Sequence, residues 1–268
     1  AFHDAAERGD PPKCHPYTRV AILAEIMQWI SDPNIRDKFI IWLYGPAGSG
    51  KTAICQSIAE ACARNGLLVA SFFFGRLAAG RNSTAQVIAT LAYQLSRSIP
   101  EMEDNLFTVI EKDPTIFTRS LSTQMRALII EPLISATFSL RPRLVVVDGI
   151  DECGPNDYAH KELLSVLGNA AEELRNIPIL FLLGSRPEYQ IRTAFNQTPL
   201  SYLTTSLVLD DKYKPDDDIR TYFTDEFQRI QSHLPGPRKR SWPSSRDMDI
   251  LVQKASGQFI FAATVIRF

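Results

Sequence analysis

Apolar positions along the chain follow two patterns. Short continuous runs that end in Gly, Asp or Ser alternate with longer stretches in which apolar residues recur every three or four positions. Val20, Leu23, Ile26, Met27 and Ile30 share one face of a predicted helix that stops at an SDPN segment. FIIWLYG (39–45) is uninterrupted, as a strand covered on both faces requires. A helix follows through TAICQSIAEACARNG, closed by Asn65 and Gly66, and LLVASFFFG (67–75) reads as a second buried strand. Helices are predicted over 84–99, 101–112 and 120–133, punctuated by Pro100 and Pro114. LVVVDGI (144–150), IPILFLLGS (177–185) and SLVLDD (206–211) supply strands three to five. Between the third and fourth, Leu163, Leu164, Leu167, Ala171 and Leu174 mark one face of another helix.

Strand and helix alternate over 39–211, which predicts an α/β fold with a doubly wound parallel sheet. After Pro215 the pattern is wholly helical. Residues 1–14, with Gly9, Pro11 and Pro12, read as linker; 15–212 form one α/β domain, and 213–268 begin a separate helical domain. The chain opens on Ala1 and stops in an apolar run at Phe268, so a truncated fragment of a longer intracellular protein is expected.

Composition narrows the function classes. A chain of 268 residues that is 45% hydrophobic and 22% charged can build its own core, which excludes disordered, collagenous and disulfide-scaffold classes. Lys and Arg number 29 against 30 Asp and Glu, so no global basic field argues for nucleic acid or an acidic membrane. Cys14, Cys55, Cys62 and Cys153 form no C-x-x-C pair, and Cys55 and Cys62, seven apart, read as small buried hydrophobes. The polar start lacks a signal-peptide core and no apolar run spans a bilayer, so a cytoplasmic location and no transmembrane segment are expected.

The chemistry begins at GPAGSGKT (Gly45–Thr52), which fits G-x-x-x-x-G-K-[ST] between a predicted strand and a predicted helix. Gly45, Gly48 and Gly50 let backbone approach phosphate oxygens, and Pro46 sits at the loop start, where no N–H is needed. The amides around Gly48, Ser49, Gly50, Lys51 and Thr52 point at a β-phosphate with the helix N-terminus behind them, and Ala47 and Ala53 complete the cradle. Lys51 bridges β- and γ-phosphates, and the Thr52 hydroxyl is a ligand for Mg2+.

LVVVDGIDE (144–152) supplies the acidic half. Four apolar residues carry Asp148 to the carboxyl end of a buried strand, where a carboxylate holds Mg2+ directly or through water. Glu152 is the candidate base that orients the attacking water, with Asp151 as the alternative. Arg186, at the end of the fourth strand, is placed to contact a γ-phosphate. Asp216, Asp217 and Asp218 read as helix N-terminal charges. The basic stretch 235–240 reads as a solvated linker and none of the four His as catalytic. No N-K-x-D occurs, so adenine is favoured over guanine, and ATP or ADP over GTP.

GPAGSGKT, LVVVDGIDEC and FLLGSRPE, in this order and spacing, resemble the NACHT subgroup of STAND-type signalling ATPases, fungal members above all. HPYTR (15–19), FFFGR (72–76), TLAYQL (90–95) and ASGQFIFAATVIRF are also similar to that group. The resemblance implies a P-loop NTPase of ASCE type, a three-layer sandwich whose five-strand parallel sheet has the order 5-1-4-3-2. It implies that 15–212 are the nucleotide-binding domain and that Arg186 stands beside Lys51 as a γ-phosphate sensor. Thr18 and Arg19 would lie near adenine and ribose. It further implies an ADP-closed state, an ATP-open state that self-assembles, slow turnover, and N-terminal effector and C-terminal repeat domains outside these residues. Two departures stand out: Gly257–Gln258–Phe259 replaces a G-x-P element, and Gly184 stands where Thr is common.

The expectation is therefore an ATP-binding, slowly hydrolysing switch module of an NLR-like protein. The main alternative is a P-loop kinase or other metabolic phosphotransferase. Against it, the segment between strands two and three is apolar and helical rather than an Arg-rich lid. A scaffold with a purely structural nucleotide is the third reading.

Overall fold

The computed structural model describes residues 1–32, 34, 38–76, 78, 80–136, 141–154, 157–233 and 242–268. The basic stretch 235–240 lies outside the described residues. In chain order the elements are α1 (Val20–Ser31), β1 (Ile40–Tyr44), α2 (Lys51–Arg64), β2 (Leu68–Phe73), α3 (Val87–Ser98) and α4 (Glu103–Lys112). Next come α5 (Leu121–Met125), α6 (Glu131–Ser135), β3 (Arg143–Asp148), α7 (Asp157–Glu173), β4 (Ile179–Ser185), α8 (Tyr189–Phe195), α9 (Leu200–Leu203) and β5 (Thr204–Val208). The chain closes with α10 (Pro215–His233), α11 (Ser245–Ala255) and α12 (Phe259–Arg267).

The five strands form one parallel sheet in the order β2-β3-β4-β1-β5, the expected order read from the other edge. Alternate residues of each strand feed opposite layers, as the two-residue pleat dictates. Trp42, Val145, Val147, Phe181 and Leu183 join α3, α7 and the broken α5–α6 helix on one face. Ile41, Leu43, Val146, Leu180 and Leu182 pack against Ile22, Ile26 and Ile30 of α1 and Ile54, Ile58 and Cys62 of α2 on the other. Covered on both sides, β1 to β4 have no exposed face, which explains their largely apolar runs, whereas the edge strand β5 leaves Ser206 exposed. A third, smaller core joins Phe223 and Phe227 of α10 to Val252 of α11 and Ala262 of α12.

Register brings the site together. Tyr44 pairs with Ser185, and Phe73 with Asp148, so the strand ends that carry the loop, the acidic motif and the arginine share one edge. Ligands bind at that edge of open parallel sheets, where strand order reverses.

Three expectations change. The helix predicted over 120–133 is interrupted by a π turn, Arg126–Ile130, with the Glu131 N–H bonded to the Arg126 carbonyl. Pro132 follows and has no N–H to continue the α ladder, so the backbone widens just before it. The fifth strand is Thr204–Val208 rather than 206–211; Thr204 and Thr205 pair with Ile40 and Ile41, while the Asp210 side chain caps a turn by accepting from Lys212 N. Finally, the segment read as linker is bound. Ala1 and Phe73 exchange backbone hydrogen bonds of 3.3 and 2.9 Å, and His3 N donates to Ser71 Oγ at 2.9 Å. Arg8 stacks on the Phe73 ring at 3.8 Å and bonds Gln56 of α2. Backbone atoms and one stacked cation hold it along the outer edge of β2.

Candidate functional site

The loop between β1 and α2 turns at Gly48, whose φ of +75° lies in the left-handed region that only glycine enters without strain. Helix α2 begins at Lys51, so the loop amides stand at a helix N-terminus. Lys51 Nζ donates to the carbonyls of Gly45 and Pro46 at 2.9 and 2.8 Å. Burial lowers the Lys51 pKa, opposed by the nearby carboxylates of Asp151 and Asp148.

Asp148 ends β3 and is buried. Burial raises its pKa, and hydrogen bonds from the Thr52 hydroxyl and the Cys55 thiol partly offset the shift. Gly184 of β4 makes this arrangement possible: a Cβ there would fall 2.2 Å from Asp148 Oδ1 and 3.2 Å from Cys55 Sγ. The departure at 184 therefore leaves room for the carboxylate.

The two remaining acids have different surroundings. Asp151, buried in the turn after β3, accepts from Arg186 N at 2.9 Å and pairs with Arg186 Nε at 3.1 Å. Glu152 is half-buried and accepts from the backbone N of Arg76 at 2.8 Å. Beneath Arg186, Trp42 Nε1 donates to Ser185 Oγ at 2.9 Å, and the indole stacks on Tyr44 and Phe195 at 4.2 and 4.1 Å.

Thr18 and Arg19 are both buried at the N-terminus of α1. Arg19 Nη2 donates to the Ser49 carbonyl at 2.9 Å, its guanidinium lies 4.7 Å from the Phe259 ring, and its own N–H donates to Asp218 at 3.0 Å. Its Nε lies 3.8 Å from an Asp218 carboxylate oxygen, its Nη1 is buried without a hydrogen-bond partner among the described residues, and its backbone is left-handed, with φ +56°. Unpaired buried donors and backbone strain concentrate at sites that receive a ligand.

These groups meet in a cavity of about 710 Å³, within the usual range for small-molecule sites. Ala47, Gly48, Gly50, Lys51, Thr52 and Ala53 form one wall, and Asp148, Asp151, Glu152 and Arg186 another. Thr18 and Arg19 reach it from α1. Gly45, Pro46 and Ser49 do not line it; they act through the carbonyls that hold Lys51 and Arg19.

Sequence reasoning missed the third wall. Tyr222 of α10 and Phe259, Ile260, Ala263 and Arg267 of α12 line the cavity, as does His15. Phe259 stands at the last position of the element that replaces G-x-P, the one signal that pointed there. Asp216 and Asp218 do more than complement the helix dipole: Asp216 accepts from Gly257 N at 3.2 Å and Asp218 holds Arg19. Among the described residues no three His, Cys, Asp or Glu side chains converge to hold a metal. The Thr52 hydroxyl bonded to the Asp148 carboxylate nevertheless offers two hard oxygen donors, the protein share that Mg2+ takes in phosphate sites.

Sheet order, phosphate loop and acidic strand end together define a nucleotide-binding P-loop NTPase of the NACHT class. Residues 21–186, more than half of the chain, match the family described as Nephrocystin 3, N-terminal, and the chain belongs to that family. No curated protein matches the sequence. Among solved structures the chain is similar to one of Drosophila ORC bound to DNA, with 15% identity, a TM-score of 0.48, and coverage of 84% of this chain and 49% of that one. It thus spans about half the length of that protein. Domain III of the Thermotoga maritima replication initiation protein DnaA is 11% identical, with a TM-score of 0.46 over 91% of this chain and 80% of the other. AMPPCP-bound DnaA from Aquifex aeolicus is 12% identical, with a TM-score of 0.41 over 92% and 58%. Among the described residues no helix is long and apolar enough to cross a membrane.

Proposed function

We propose that this chain is the ATP-driven switch module of an NLR-like signalling protein acting in the cytoplasm. One observation carries the reading: the cavity wall is shared between the sheet unit and the helices after Pro215, because α12 packs against the phosphate loop. A pocket built from both parts couples its occupancy to their relative position. In this reading residues 15–212 are the nucleotide-binding domain and 213–268 the start of a helical domain. The ADP form is closed and the ATP form open and self-associating. An N-terminal effector and C-terminal repeats complete the protein.

In the chemistry proposed, the loop amides and Lys51 hold the β- and γ-phosphates, and Thr18 and Arg19 hold the nucleoside end. Thr52 and Asp148 would hold Mg2+, which when bound neutralises phosphate charge. Glu152 orients a water and takes its proton as the water oxygen bonds to the γ-phosphorus. The bond from that phosphorus to the β–γ bridging oxygen breaks, releasing ADP and inorganic phosphate. Arg186 contacts the γ-phosphoryl oxygens, which are present only in ATP. Turnover is slow, as suits a timer.

The test is to identify the nucleotide that co-purifies with the chain, and to measure ATP hydrolysis with and without Mg2+. Bound adenine nucleotide that disappears in Lys51→Ala supports the reading. An empty pocket in both proteins, with no affinity for added ATP, refutes it.

A further inference from the structure

The D-G-x-D-E motif presents two carboxylates after Asp148, and the structure separates their roles. We infer that Asp151 is a positioning residue for Arg186, fixing the guanidinium so that it distinguishes a triphosphate from a diphosphate, and that it is not the base. The inference rests on the ATP-switch reading above, within which it names how the γ-phosphate is recognised.

The geometry of the pair carries the argument. Asp151 uses one oxygen on the Arg186 backbone N–H and the other on the Arg186 Nε. Its side chain is only 3% exposed, against 39% for Arg186. A base needs a carboxylate oxygen free to face water, and both oxygens of Asp151 are already engaged inside the protein. Glu152 differs: among the described residues only its Oε2 is engaged, by Arg76 N, and its side chain is less buried on the cavity wall.

Pairing at Nε is informative. A half-exposed arginine has a long, freely rotating side chain to immobilise on contacting a ligand. The ion pair at Nε removes much of that freedom in advance, which is how preorganisation raises affinity, and the bond to the amide fixes the backbone it hangs from. Among the described residues no hydrogen bond engages Arg186 Nη1 or Nη2. That end of the guanidinium is therefore available for a two-point contact with phosphoryl oxygens. The same turn is tied to β4 a second time, since Gly149 N donates to the Gly184 carbonyl at 3.0 Å. The acidic motif and the arginine thus form one rigid corner across β3 and β4.

The experiment compares Asp151→Asn, Arg186→Ala, the double variant and Glu152→Gln with wild type. Affinities for ADP and for the non-hydrolysable analogue AMPPCP are measured by calorimetry, and hydrolysis by single turnover. Asp151→Asn should keep ADP affinity within about twofold and lose roughly tenfold of the preference for AMPPCP over ADP. The double variant should be no worse than Arg186→Ala, because both changes remove one device. Glu152→Gln should abolish hydrolysis while keeping the preference. If Asp151→Asn instead keeps the preference and only abolishes hydrolysis, or if its loss adds to that of Arg186→Ala, the inference is wrong. Asp151→Ser, a smaller polar side chain that cannot form the ion pair, gives the same readout should Asp151→Asn fold poorly. Failure of wild type to bind either nucleotide would refute the switch reading itself, a distinct result.

Discussion

The amide of Ile260 donates to the carbonyl of Gly48 at 3.3 Å, and the Ile260 side chain occupies the space beside that glycine. A Cβ on Gly48 would lie 2.3 Å from Ile260 Cγ2. The first turn of α12 therefore rests on the phosphate loop. Gly48→Ala combines a left-handed backbone penalty with displacement of α12, so a loss of about 1–3 kcal/mol in unfolding free energy is expected. Adding Ile260→Ala should return the steric part and leave the backbone part. Urea titrations of the two single variants and the double variant measure the split.

Gly184 sets a second steric limit. Gly184→Ala places a methyl where Asp148 Oδ1 now sits, so the carboxylate must rotate away from Thr52 and Cys55. A rise in the Mg2+ concentration needed for half-maximal hydrolysis is expected, with turnover down about tenfold, equivalent to roughly 1.4 kcal/mol of barrier. An unchanged metal requirement would show that the carboxylate works equally well in another rotamer.

Asp148 also links the site to pH. Burial raises its pKa above the ordinary value of 3.8, so the folded chain binds this proton more tightly than the unfolded chain does. The stabilisation is complete below about pH 4 and is lost as pH rises through the shifted value. The linkage therefore works against the folded, ligand-free protein at neutral pH relative to pH 4. Asp148→Asn should then raise the melting temperature without nucleotide, by roughly 2–4 °C per kcal/mol in a chain of this size, while abolishing Mg2+-dependent hydrolysis. The gain should shrink below pH 4; a gain constant between pH 4 and 7.5 would contradict the assignment.

The cysteines give a simpler check. Burial pushes Cys62 and Cys153 up to about 12, and raises Cys14 and Cys55 as well. Thiolates are the reactive form, so the folded protein should resist iodoacetamide at pH 8 over hours. All four should react within minutes in guanidinium, as mass spectrometry of the two samples would show.

Much of this was legible in the sequence, for physical reasons. Strands covered on both faces must be apolar throughout, so FIIWLYG and FLLGS read as strands without ambiguity. A backbone that wraps phosphate needs Gly, Lys and Thr at set intervals, so the loop was visible too. Residues that act through contacts distant in the chain were hidden. Phe259 and Ile260 are apolar and carry no sequence mark of a site, although they line the cavity beside a loop two hundred residues earlier. Asp151 and Glu152 are adjacent acids, and only the position of Arg186 separates them. Residues 1–14 read as linker because backbone atoms make their main anchors, and backbone hydrogen bonds leave no signature in residue type.

Trp42 gives the site an optical output of its own. Its indole N–H is bonded to Ser185, the residue just before Arg186, and its ring is sandwiched between Tyr44 and Phe195. Any rearrangement that pulls the end of β4 toward a phosphate must alter that hydrogen bond or that stack, and with it the indole's emission. With Trp29 and Trp242 replaced by Phe, the remaining fluorescence would report nucleotide state in real time, without a dye or a label.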